Sequence, residues 1–154
     1  MAYTYRFKDK YDNTIYVGLF GCSKGTIKNL GVINGTIIKT KTAQTGSSAC
    51  IGGIVGYNKG TVENCYNSST ISSTCKSKEY EAHSYVYAGG IAGDNDGSII
   101  QCYNIGDIIA TTSSDKGNAE CIAGGIAGYN FGEITLCYNL ARVSTSSTAW
   151  SYIR

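Results

Sequence analysis

The stretch "GGIVGYNKGTVENCYNSSTI", residues 52–71, mixes glycine, asparagine, tyrosine and cysteine with scattered aliphatics, and it has three relatives in the same chain. They are "GLFGCSKGTIKNLGVINGTI" from Gly18, "GGIAGDNDGSIIQCYNIGDI" from Gly89 and "GGIAGYNFGEITLCYNLARV" from Gly124. Gly21, Gly56, Gly93 and Gly128 recur at spacings of 35, 37 and 35. Gly25, Gly60, Gly97 and Gly132 follow four residues later, and the aliphatics Ile27, Val62, Ile99 and Ile134 two after those. A fixed period of this length is the signature of stacked repeats.

The ninth position after the first glycine holds Leu30, Cys65, Cys102 and Cys137. Leucine in one copy argues against a nucleophile or metal ligand and for a small apolar slot, where cysteine acts as a compact hydrophobe. A metal site would also want closely spaced cysteine pairs and histidine partners, and the chain's one histidine is His83. Short stretches alternate apolar and polar residues, and none keeps a helical period over ten positions. Strands bounded by glycine and asparagine turns therefore predict an all-β, right-handed parallel β-solenoid (β-helix) of about four coils. Each coil is expected to supply about three strands, stacked at roughly 4.8 Å. The whole of residues 1–154 is taken as one domain, with repeats at approximately 16–50, 51–87, 88–122 and 123–154.

Stacking assigns the other columns. Asn58, Asn95 and Asn130 fall at one corner and Asn67, Asn104 and Asn139 at another. Asparagine accepts left-handed backbone, and its amide can bond to the same amide one coil away. Tyr66, Tyr103 and Tyr138 form an aromatic column beside the cysteines. The glycines are expected to take positive φ or to let coils approach closely.

The chain has 154 residues with 13 Lys and Arg against 11 Asp and Glu, a net charge of +2 that gives no electrostatic case for nucleic acid. No apolar run is long enough to span a membrane, so membrane insertion is not expected. The first residues lack a signal-peptide pattern, so if the native protein is secreted this chain is cut from something longer, and the abrupt end "STAWSYIR" fits excision too. An odd count of seven cysteines cannot pair completely within one chain. Cys50 and Cys121 sit at near-equivalent places, which allows them to stack, and the sequence leaves a disulfide open. Unpaired interior thiols fit a reducing or anaerobic setting, or shielding from oxidant.

The strings "YVGLFGCSKGTIKNLGVINGTI" and "GGIVGYNKGTVENCYNSSTI" resemble GLUG-type repeats, named for a recurring Gly-Leu-any-Gly element. The resemblance covers residues 16–143, with "GGI[AV]G" replacing "GLFG" in copies two to four. Similar repeats occur in bacterial surface adhesin-like proteins and in non-catalytic regions of IgA-cleaving metallopeptidases. It implies a β-solenoid module of a larger cell-surface or secreted protein and brings no catalytic residues. The metallopeptidase zinc motif HExxH is absent.

Where the copies disagree, at 38–49, 72–87 and 109–121, loops on one face are expected. The longest holds Tyr80, His83, Tyr85 and Tyr87, a possible ligand-binding loop whose aromatics suit sugars. A Cys75–His83 nucleophile pair lacks an orienting acid and an oxyanion donor. "GDNDG" at 93–97 begins like a calcium loop without the downstream glutamate. Asp94, Asp96 and Asp107, the one acidic cluster of the kind used by polysaccharide-active solenoids, lie in a single copy. No catalytic, cofactor or metal residue is therefore assigned. The expectation is a non-enzymatic structural or adhesive module, a rigid spacer and presentation scaffold that stacks end to end. The alternative is a carbohydrate-binding domain using the side loops. Partners would be host or cell-surface glycans or proteins, or further copies of the chain.

Overall fold

The computed structural model describes residues 5–8, 14–43, 46–78 and 82–149. The chain winds four times, and each coil lays down five strands. In the second coil these are Ser47–Gly52, Val55–Asn58, Thr61–Glu63, Tyr66–Asn67 and Thr70–Ser77. Equivalent strands of successive coils pair in parallel and make five walls, called here first to fifth in that order. Tyr5–Lys8 adds antiparallel to Thr14–Gly18, so the first wall alone has five strands. Five strands replace the expected three because some, such as Tyr66–Asn67, are two residues long and too short to show an alternating pattern.

Register follows the repeat. Ile99 pairs with Val62 below and Ile134 above, and Tyr103 with Tyr66 and Tyr138. The three tyrosines stack with ring centroids 5.1 Å apart at each step, close to the strand spacing. The segments expected as loops at 38–49, 72–87 and 109–121 are largely strands of the fifth and first walls, such as Ile108–Ser114 and Ser84–Gly89. They are hard to recognise because their inward positions run Ile71, Ser73, Cys75 and Ser77, half of them polar. The buried hydroxyls are partly tied down: Ser77 Oγ donates to Ser114 Oγ at 3.0 Å, and Ser114 Oγ to the Ala82 carbonyl at 2.9 Å.

The interior divides into two apolar clusters. One lies between the first and fifth walls around Ile15, Ile51, Val86, Ile71 and Ile108. The other lies behind the second and third around Ile54, Val62, Ile91, Ile99 and Cys102. Ile99 and Val62 have no exposed surface, whereas their equivalent Ile134 is 38% exposed because no described coil covers the fourth.

Both asparagine columns are hydrogen-bonded ladders. Asn67 Nδ2 donates to Asn104 Oδ1 at 2.8 Å, and Asn104 Nδ2 to Asn139 Oδ1 at 2.7 Å. Asn58 to Asn95 and Asn95 to Asn130 repeat this at 2.7 Å. Each amide also bridges its own chain two residues on, as Asn67 does with the N–H and C=O of Ser69, both at 3.0 Å. These asparagines thus act as side-chain pieces of sheet at the corners, without left-handed backbone. The left-handed positions are elsewhere: Asn29, Asn34, Asn64, Gln101 and Leu136, with φ between 50° and 56°. No described glycine takes positive φ, so of the two expected roles only close approach applies.

Four of those residues stand immediately before Leu30, Cys65, Cys102 and Cys137, so each coil turns through the same strained joint. Asparagine suits it, and Asn64 Nδ2 donates to Asn29 Oδ1 at 2.7 Å. Leucine does not: Leu136 has φ 54° and is 74% exposed, so it bears the Cβ penalty with little burial in return. Leu136→Asn is expected to stabilise the fold by about 1 kcal/mol. In a calorimetric scan that is a rise in Tm of roughly 2–4 °C.

The cysteine column is interior as expected, but its sulfurs do more than fill space. Cys65 N–H donates to Cys102 Sγ at 3.4 Å and Cys102 N–H to Cys137 Sγ at 3.3 Å. Each thiol in turn points at a carbonyl two residues back, Glu63, Ile100 or Thr135, at 3.2–3.3 Å. Leu30, at the equivalent position of the first coil, packs against the same apolar cluster as Cys65 and Cys102. Burial pushes the Cys102 thiol up to about 12, so it stays protonated. None of Cys22, Cys65, Cys102, Cys121 and Cys137 forms a disulfide.

Candidate functional site

The first repeated glycine creates the molecule's most distinctive surface. A Cβ on Gly56 would lie 2.5 Å from Val17 N, one on Gly93 2.4 Å from Ile51 N, and one on Gly128 2.5 Å from Ala88 N. Each glycine lets its second-wall strand press against the first-wall backbone one coil below. The residue after each glycine then meets an outward residue of the first wall across a crease.

Two columns line this crease. Register places Tyr16, Cys50, Tyr87 and Ile122 in line on the first wall. It places Cys22, Tyr57, Asp94 and Tyr129 in line on the second. Tyr16 stacks on Tyr57, with centroids 5.0 Å apart and planes 19° apart, and Tyr87 meets Tyr129 at 5.0 Å and 33°. Tyr129 is further braced edge-on by Phe131 at 4.8 Å. Between the two aromatic pairs come Cys50 and Asp94, where the rings are missing. A cavity of about 270 Å³ opens there, lined by Thr14, Tyr16, Ser48, Cys50, Tyr85, Tyr87 and Asp94.

Asp94 is the charged group in that lining. Its Oδ1 is buried and has no hydrogen-bond partner. Asp96, two residues on, is already engaged: it accepts a short hydrogen bond from the Tyr57 hydroxyl. The Lys59 ammonium lies 4.5 Å from the centre of the Tyr57 ring, a cation–π contact. Burial, and secondarily the neighbouring Asp96 carboxylate, raise the Asp94 acid to about 6.

That shift has a thermodynamic sign. The folded chain holds this proton more tightly than the unfolded chain, so stability falls as pH rises from about 4 to 6 and is level above. Asp94→Asn removes the penalty and is expected to be more stable than the parent by about 1 kcal/mol at pH 7.5, the full shift being discounted because the group is partly exposed. The gain should vanish near pH 4, as measured by urea titration at the two pH values.

The structure brings together only part of the expected loop site. Tyr85 and Tyr87 lie on the strand Ser84–Gly89, not in a loop, and both line the crease cavity. The exposed His83 tilts over Tyr85 at 6.1 Å, and Tyr80 lies outside the described residues. Cys75 is buried in the core and His83 is exposed, so they make no nucleophile pair. Cys50 and Cys121 do not stack either. Cys50 pairs in register with Tyr87 on the outer face, whereas Cys121 pairs with Val86 and packs inward. Their one-residue difference in distance from the next isoleucine puts them on opposite faces, as strand alternation requires.

Asp107 stands apart from Asp94 and Asp96, accepting from the Arg142 N–H at 3.1 Å. Among the described residues no three His, Cys, Asp or Glu side chains group as metal ligands. Sequence inspection missed Tyr16, Cys50 and Asp94 as a site. The available signal was the residue after each repeated glycine, which reads Cys, Tyr, Asp, Tyr and sets an aspartate between two tyrosines.

Parallel coils, amide ladders and a crease set by glycine define a β-solenoid repeat protein. The family model described as "The GLUG motif" matches residues 47–72, the stretch that forms the second coil's first four walls and enters its fifth. No curated protein and no solved structure matches the chain.

Proposed function

We propose that this chain is a non-enzymatic, rigid spacer and presentation module of a larger bacterial surface or secreted protein, with coils that stack end to end. The observation that carries this reading is the state of the fourth coil. Its fifth-wall strand Val143–Ala149 is exposed throughout, and Phe131, Leu136 and Leu140 are each at least 74% exposed. Asn130 and Asn139 bond within their own coil at 3.1 and 2.9 Å, as the earlier ladder asparagines do before adding a bond to the next coil. Such an end matches the surface that every coil above the first already rests on, and open parallel edges favour strand addition on the second to fifth walls, the first being covered at the opposite end by Tyr5–Lys8.

A stiff rod of this kind spaces and presents, and its side faces would meet a cell-surface glycan or protein. No helix among the described residues is long and apolar enough to cross a membrane. Sedimentation velocity across a wide concentration range tests the stacking. Reversible growth is expected, and Thr145→Lys on the exposed edge should suppress it by placing a charge at the junction. A strict monomer at high concentration would overturn self-stacking.

A further inference from the structure

We propose that the crease slot over Cys50 binds a guanidinium group, the side chain of an arginine-bearing ligand, between Tyr16 and Tyr87 and hydrogen-bonded to Asp94 Oδ1. Three independent features define the ligand. Its height comes from the register: Tyr16 and Tyr87 flank Cys50 on the first wall and are two strand spacings apart, roughly 10 Å. Elsewhere in this molecule the same two steps, from Tyr66 to Tyr138, hold one further flat ring, that of Tyr103. The slot therefore has the height for one planar group and little more.

Its polarity comes from Asp94. The Asp94 carboxylate has a backbone hydrogen bond at Asn95, but its buried Oδ1 has no partner and calls for a donor, and a cationic donor offsets the desolvated charge best. Its walls are tyrosine rings, which attract cations through their π-systems and accept guanidinium stacking. A neutral sugar could satisfy the oxygen but would leave the charge uncompensated. An ammonium has the charge without the flat shape.

The groups acting on Asp94 allow a pH signature. Asp96 beside it raises its pKa, a backbone hydrogen bond at Asn95 and then Lys59 from the coil below lower it, and Glu120 on the first wall acts on Tyr87. A guanidinium, charged at every accessible pH, binds the ionised form of Asp94, so affinity should fall as pH drops through about 6.

The inference deepens the presentation reading by giving one face a ligand chemistry. Its test reads binding alone, so failure here leaves the stacking experiment untouched. The intact 154-residue chain is titrated by amide NMR with methylguanidine and with N-acetyl-arginine amide. Methylammonium, urea and methyl glucoside serve as comparators. Both guanidines should shift the amides of Cys50, Tyr87 and Asp94. A tighter arginine derivative would indicate a peptide source, and equal binding a free guanidine. Urea, the neutral planar analogue, and methylammonium should each bind at least about tenfold more weakly, as one lost charge-assisted bond predicts.

Asp94→Asn should weaken methylguanidine by about tenfold and abolish the pH dependence. Cys50→Phe should fill the slot; if that variant misfolds, Ser48→Phe on the same lining replaces it. Equal binding of urea and methylguanidine, preference for the glucoside, or no shift with any guanidine would overturn the proposal.

Discussion

Asn104→Ala should cost on the order of 4 kcal/mol and bring the chain close to unfolding at room temperature. Asn104 has no exposed surface and makes four hydrogen bonds. It donates to the Gly106 carbonyl at 2.8 Å and to Asn139 Oδ1 at 2.7 Å, and accepts from Gly106 N–H at 3.3 Å and from Asn67 Nδ2 at 2.8 Å. Alanine removes all four partners at once in a place water does not reach. Each buried polar group left unsatisfied costs about 1–3 kcal/mol, and some of these keep a second partner, which brings the sum to the figure above.

The ladder supplies its own control. Asn130 makes the same kind of bonds from an exposed position, where water replaces what alanine removes. Asn130→Ala should lose about 1 kcal/mol. Equal losses for the two variants in equilibrium urea denaturation would show that the columns are register marks and not structural bonds.

That contrast indicates how far sequence alone could go. The asparagine columns, the cysteine column and the Tyr66–Tyr103–Tyr138 stack were all visible, because each recurs at one position of the repeat. Their chemistry was less so. Nothing in the string reveals that Cys102 accepts from the N–H of Cys65, or that the ladder asparagines keep extended backbone while Leu136 takes the left-handed turn. The fifth wall was hidden by its own composition: inward Ser73 and Ser77 make a buried strand look like a polar loop. The crease was hidden for a different reason. Tyr16, Cys50 and Tyr87 belong to strands preceding the recognisable motif, and Asp94 to the motif one coil on. The pairing between them is one coil out of step, and only the stacked backbone displays it. What breaks the repeat, an aspartate where two copies have tyrosine, is where the site lies.

The glycine that builds the crease should tolerate nothing larger. A Cβ at Gly93 would sit 2.4 Å from Ile51 N, 2.6 Å from Cys50 C and 2.8 Å from Gly56 O, all backbone atoms of the coil below. None is the end of a flexible side chain, and each belongs to a strand held by ladders above and below. Relief requires the third coil to lift by about an ångström, which would lengthen the inter-coil hydrogen bonds on both walls beyond useful range. Gly93→Ala should therefore cost about 4 kcal/mol or more, at the level of the severest single-site changes.

Gly25 makes the opposite forecast. It holds the position of Gly97 in the first coil, and a Cβ there meets nothing within 4 Å, whereas one on Gly97 would lie 2.0 Å from the Gly60 carbonyl oxygen. Gly25→Ala should change stability by no more than about 0.5 kcal/mol. The same substitution at the same repeat position should thus be harmless in the first coil and ruinous in the third. Thermal unfolding of Gly25→Ala, Gly93→Ala and Gly97→Ala would separate the two causes a repeated glycine can have. If all three unfold alike, the glycines are kept for backbone conformation. If only Gly25→Ala survives, they are kept because another coil lies against them, and the crease with its slot exists only where coils are stacked.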